Sequence, residues 1–162
     1  MPDSSVSILL TVIDQAFDRK SWHGTNLKGS IKGMSAAAAA WRPAPNRHNI
    51  WEIVVHAAYW KYVVRRRLLN EPRGSFPLKG SNWFKRPEGT ADEATWKSDV
   101  ALLTQTHQGL RAAIASLSAG ELSYKPADSK ISNLELITGT ASHDLYHAGQ
   151  IQLLKRLREG IE

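Results

Sequence analysis

Ser132-Asn133-Leu134-Glu135-Leu136-Ile137-Thr138-Gly139-Thr140-Ala141-Ser142-His143-Asp144-Leu145-Tyr146-His147-Ala148-Gly149-Gln150-Ile151 is the stretch whose reading decides the fold. Leu134, Ile137, Ala141, Leu145 and Ala148 recur at three- and four-residue spacing, the repeat of one helix face. Ser132 stands before this run and Glu135 three residues later. A short polar side chain there caps the first free backbone N–H groups while the acid reaches back, the capping-box signature of a helix start. Lys155, Arg156 and Arg158 follow near the other end, where cations complement the helix dipole. The pattern predicts a helix from Ser132 to about Glu159.

A second row runs along the same helix: Leu136, Thr140, His143, His147, Gln150 and Leu154. It is apolar at both ends and polar in the middle. A solvent-facing row would carry Lys and Glu, and a plain core row would carry Leu throughout. This row reads as the wall of a small polar cavity inside a bundle. His143 and His147, four apart, project from one face a turn apart, so two imidazoles can converge on one ion. HxxxH is weakly specific by itself. It also lacks the Glu of HExxH, which leaves a metalloprotease without its general base. Asp144 and Tyr146 flank the pair but point elsewhere, as surface or packing positions.

Working outward, Asn49 with Glu52 and Thr90 with Glu93 repeat the start signal ahead of two more apolar-periodic runs. A first helix is predicted from about Ser4 to Lys20, with Val6, Leu9, Leu10, Ile13 and Phe17 as its stripe. A second runs from Asn49 to about Leu69, with Ile53, His56, Ala57, Trp60 and Val64 along one side; Pro72 and Gly74 punctuate its end. A third runs from Thr90 to about Leu117. Short helices are expected at Leu27–Lys32 and Ser35–Trp41. The loop Glu71–Gly89, rich in Gly, Pro, Ser and aromatics, is of a length that is often functional. No segment alternates as a strand does. The expectation is an all-α four-helix bundle with long connections between helices 1 and 2 and between helices 2 and 3, forming one domain over residues 1–162.

Composition narrows the chemistry. Of 162 residues, 42% are hydrophobic and 22% charged, a globular balance, and none is cysteine. Thiolate ligands, disulfides and cysteine nucleophiles are excluded, so any metal site must use His, Asp, Glu or water. No apolar run approaches the roughly 18 residues that span a membrane. The apolar start from Val6 to Ile13 lacks a basic leader, and a cytoplasmic protein is expected. The net charge of +6 is carried in short blocks such as Arg65-Arg66-Arg67 near predicted helix C-termini. There it complements dipoles, so neither nucleic acid nor membrane is expected as a partner.

The histidine pair needs a third ligand. His56 sits mid-helix among apolar neighbours, where a neutral core histidine bonded to a carbonyl is the plain alternative. His23, His48 and His107 are the other candidates. Glu52, one turn before His56, can orient a ligand, handle a proton, or simply cap its helix. Gln150, three residues after His147, can hydrogen-bond a bound ligand. Trp51, Tyr59, Trp60 and Trp96 lie on helices, where packing is the default. Trp83 and Phe84 lie on the long loop, which can be a lid over the metal or an interface with a second copy.

Three segments together resemble the DinB-like superfamily (DinB/YfiT-like metalloenzymes): Trp41-Arg42-Pro43, His48-Asn49-Ile50-Trp51-Glu52-Ile53-Val54-Val55-His56-Ala57-Ala58-Tyr59-Trp60, and His143-Asp144-Leu145-Tyr146-His147-Ala148-Gly149-Gln150-Ile151. The resemblance implies a bundle of that type and a three-histidine metal site at His56, His143 and His147. Glu52, Gln150, Trp60 and Trp83 become candidates to support the ligands or contact a substrate. Three imidazoles favour zinc or nickel, with iron and copper as further options, over magnesium or calcium. Three protein ligands and an open position are the arrangement of a catalytic site. The implied activity is a metal-dependent reaction of a small-molecule substrate, assisted by a low-molecular-weight thiol and of the S-transferase kind. The alternative is a stress-related metal-binding module without catalysis. A homodimer is the expected assembly.

Overall fold

The computed structural model describes residues 4–127 and 129–160. Four long helices dominate: α1 (Ser4–Phe17), α4 (Ile50–Leu68), α5 (Glu93–Ala115) and α6 (Asn133–Glu159). The short α2 (Leu27–Ser30) and α3 (Ala36–Ala40) lie in the first connection, where the sequence places them, and no strand forms among the described residues. A 3-10 turn at Ala119–Ser123, not anticipated from the sequence, precedes α6. The architecture is all-α, as expected. Packing runs around a ring: α4 against α5, α5 against α1, α1 against α6, and α6 back against α4. Consecutive long helices α1 and α4 therefore sit across the ring from each other, which is why the chain between them must be long.

The helix starts show how local chemistry sets the frame. Ser132 and Glu135 form the capping box that begins α6. Asn49 caps α4, its side chain accepting from the Glu52 N–H at 2.8 Å, but the Glu52 carboxylate does not reach back; it turns toward Arg42 and His48. The start of α5 is shifted from Thr90: Asp92 caps it, accepting from Thr95 N–H at 2.8 Å, an ionised acceptor at the positive end of the helix. Glu93 is thereby freed to accept the Ala36 N–H across the molecule, joining α5 to the first turn of α3. The first helix ends at Phe17, three residues short of Lys20. Leu134, assigned to the apolar stripe of α6, is 42% exposed, so that stripe begins at Ile137.

The largest departure is α4. A one-sided stripe was expected, yet every residue from Ile50 to Ala58 is buried. The helix has α5 and α6 on two sides, α3 on a third, and the 71–89 loop over the remainder through Phe76, Leu78, Trp83 and Phe84. A helix buried all round must neutralise any charge it carries. Lys61, fully buried, does so against Asp144 of α6 at 2.5 Å. Asp144 is thus no surface or packing residue: it is an ion-pair partner with no solvent exposure at all. No described helix is long and apolar enough to cross a membrane.

Candidate metal centre

The seam between α4 and α6 brings His56, His143 and His147 together. Nε2 of His143 lies 3.0 Å from Nε2 of His56 and 3.0 Å from Nε2 of His147. One nitrogen from each of the three lies within 4.8 Å of the other two. Each ring is steered there by its backbone: His143 and His147 stand a turn apart on α6 with their rings edge to face, and His56 faces them from the middle of α4.

The other ring nitrogens decide the protonation. Nδ1 of His56 donates to the Asn82 carbonyl at 2.8 Å. Nδ1 of His147 donates to Oε1 of Gln150 at 2.7 Å. A neutral imidazole has one N–H, so both rings turn an unprotonated Nε2 into the cluster. Burial lowers His56 to about 4 and His143 to about 3, and lowers His147 as well, so all three are neutral near pH 7. At least two lone pairs then point into one small space, with at most the His143 N–H to share. Zinc–nitrogen bonds of about 2.0–2.1 Å put tetrahedral ligand nitrogens roughly 3.3 Å apart, close to the 3.0 Å of the two pairs that meet through His143. The donor set, the tautomers and the separation all fit a divalent transition metal.

The loop supplies the rest of the wall. The Trp83 indole is sandwiched between two histidines, 3.9 Å from the His56 ring at 10° and 3.5 Å from the His48 ring at 6°. His48 in turn donates from Nδ1 to Glu52 at 2.9 Å, and Arg42 holds the same carboxylate at 2.5 and 2.9 Å. Burial acts to raise the Glu52 pKa, but the hydrogen bonds from Arg42 and His48 outweigh it and hold the carboxylate below its ordinary value. Glu52 stays charged and committed to Arg42 and His48, so of the roles open to it from the sequence the cap is not the one it fills. Trp60 packs edge-on to His56 at 6.5 Å, with its Nε1–H on Oδ1 of Asn82 at 2.9 Å.

The other candidate ligands are elsewhere. His23 is exposed in the connection after α1. His48 lies on the far side of Trp83 from His56. His107 is buried in the bundle core, stacked on Phe17 at 3.7 Å.

Asn82 was not singled out in the sequence, yet it fixes the orientation of His56. It adopts φ 62°, a left-handed conformation that Asn tolerates better than most residues, and so aims its carbonyl at the ring. The one local signal is Asn in a Gly-Ser-Asn-Trp run. The loop is moored beyond it by Arg86, which pairs with the buried Asp99 at 2.6 Å; Asp99 also accepts from the Trp51 indole at 2.7 Å.

Fold and site together define a helical bundle with a three-histidine group suited to binding a metal ion. A family profile described as DinB superfamily matches residues 21–151. The chain belongs to the DinB superfamily, and both motif segments that hold the three histidines fall inside the matched region. Comparisons with curated proteins and with solved structures give no match.

Proposed function

We propose that the chain is a metal-dependent enzyme that holds one divalent transition metal, zinc or nickel before iron or copper, on Nε2 of His56, His143 and His147. The observation that carries this reading is the tautomer arrangement. Asn82 and Gln150 take the Nδ1 protons of two imidazoles and leave their lone pairs converging on a third. Protein groups alone offer no partner set that satisfies all three.

Bound on three neutral imidazoles with a position left open, such a metal acts as a Lewis acid that favours the deprotonated form of a water or thiol ligand. The chain's own residues supply the surroundings. Asn82 and Gln150 hold two of the rings in register, and such outer partners also raise ligand basicity. Trp83 and Trp60 close the sides of the cluster and exclude water. Glu52, ionised and spent on Arg42 and His48, positions the His48–Trp83–His56 stack and is not placed to carry a proton. The reaction class proposed is transfer of a low-molecular-weight thiol to a small electrophile, with a homodimer as the working assembly.

Metal content of protein purified without a histidine tag tests the site: one metal per chain is expected, and none in His56→Ala or His143→Ala. A panel of bacterial thiols with an electrophilic acceptor then tests the activity. Stoichiometric metal with no turnover on any thiol would leave a metal-binding module; metal retained equally by both variants would sink the centre itself.

A further inference from the structure

The second half of α4 and the loop after it enclose a cavity of about 660 Å³ beside the histidine cluster. Tyr59, Tyr62 and Phe76 give it an aromatic wall, with ring centroids 5.3 to 6.2 Å apart. Arg66, Arg67, Arg73 and Lys79 line it as well, and no described Asp or Glu does. Nε of Arg67 is itself buried away from solvent without a hydrogen-bond partner, so any contact to a ligand in the cavity falls to the rest of the guanidinium.

The end of the cavity nearest the metal centre is built from Trp60 and Asn82, the residue whose carbonyl holds His56. His56, Trp60, Val63 and Arg67 follow one face of α4, so Arg67 stands about 16 Å along the helix from His56 by helical rise. Cations and an aromatic wall line one cavity, and Trp60 and Asn82, which both touch His56, stand at its edge, an arrangement that suits an elongated ligand.

We infer that this cavity binds an organic anion, its carboxylate or phosphate head at Arg67 and Lys79 and its apolar body along Tyr59, Tyr62 and Phe76, so that the other end of the ligand points toward His56. Binding of the anion stands on the cavity alone; only the meaning of its direction rests on the proposed metal centre. A planar oxyanion suits the guanidinium of Arg67 better than an ammonium would, because the fork geometry matches both oxygens. The aromatic wall selects for a ligand with a body and against inorganic anions.

Titration calorimetry with benzoate, 4-phenylbutanoate and phenyl phosphate tests this, with 4-phenylbutanol as the uncharged control. Saturable binding of at least one of the three acids is expected, with the alcohol weaker by about tenfold or more, as loss of charge-assisted hydrogen bonds implies. Arg67→Gln with Lys79→Gln should weaken the acid by a similar factor while the melting temperature holds; Lys79→Gln alone, on the exposed loop, should show part of the loss without any risk to folding. Binding of the alcohol as tight as the acid, an unchanged affinity in the double variant, or no saturable binding of any of the three acids overturns the inference. His143→Ala separates the two readings: it should lose the metal yet bind the acid undiminished. If it retains metal, the metal centre fails while the anion result stands on its own.

Discussion

Two polar clusters lie next to each other on the α4–α6 seam, and they answer burial in opposite ways. Lys61 and Asp144 meet donor to acceptor, positive to negative, 2.5 Å apart with no solvent exposure. Lys61 also sits 4.9 Å over the Phe17 ring, a further stabilisation of its charge. One residue along α6 from Asp144, His143 turns the other way and meets His56 and His147 nitrogen to nitrogen. The first cluster pairs opposite charges from the protein itself, with only Oδ1 of Asp144 left without a hydrogen-bond partner. In the second, two lone pairs meet with at most one N–H between them, the arrangement suited to a metal ion. Polar groups inside a bundle are therefore a poor guide to function until their partners are counted: the charged pair meets as donor and acceptor, and the neutral trio is the group suited to a metal ion.

That contrast is broken most sharply by removing one member from each side. Loss of His143, the ring common to both short nitrogen contacts, should lower metal affinity well beyond the about 10–100-fold that an outer partner is worth, with the helical content unchanged. Chelator competition on wild type and His143→Ala measures it, and equal affinities would erase the distinction between the clusters. Lys61→Met should do the reverse. It leaves Asp144 buried and unpaired, a loss of about 3–5 kcal/mol in unfolding free energy. Adding Asp144→Leu to it should restore most of that stability, since a well-packed apolar pair often equals a buried ion pair. Urea unfolding of the single and double variants decides whether the pair is structural in this sense.

A smaller effect sharpens the comparison from inside the site. Gln150→Leu removes the acceptor that fixes the His147 tautomer and leaves all three ligand nitrogens in place. Metal affinity should fall by about 10–100-fold, read by the same chelator competition, with stability little changed. An affinity identical to wild type would mean that the ring is oriented by packing alone.

How much of this was legible in the sequence follows from how far each feature depends on distant chain. The four long helices and two short ones are local: apolar period and capping residues define them within a few residues. The end of α1 and the start of α5 were misplaced because Lys20 and Thr90 satisfy local rules that Phe17 and Asp92 satisfy better in context. His143 and His147 announce themselves by spacing on one helix. His56 was one of four candidates on its residues alone, and only the resemblance to the DinB-like superfamily singled it out. Glu52 was left between cap, ligand support and proton carrier because the partners that claim it, Arg42 and His48, lie outside its helix. Asp144 was read as peripheral because its partner is 83 residues away. Asn82 contributes a backbone carbonyl, an atom every residue has, so no residue type could mark it.

The smallest effect expected concerns His107, the buried histidine that joins neither cluster. It stacks on Phe17, its Nδ1 has no hydrogen-bond partner, and its Nε2 lies 3.8 Å from Asp14 of α1. Burial, with Lys61 of α4, Arg111 of α5 and Lys28 of α2 nearby, lowers its pKa to about 3. An unfolded imidazole titrates near 6.5, so between that value and about 3 the unfolded chain binds a proton that the folded chain refuses. Stability from this group is present in full above about 6.5 and is lost as pH falls through that window. The three site histidines add to the same slope in metal-free protein. His107→Leu should therefore lose about 1 kcal/mol less between pH 6 and pH 5 than wild type does. Denaturant unfolding of the metal-free forms at the two pH values gives the difference. Equal losses would show that His107 accepts its proton in the fold, by drawing Asp14 closer, and would make it a third polar cluster satisfied in the manner of Lys61 and Asp144.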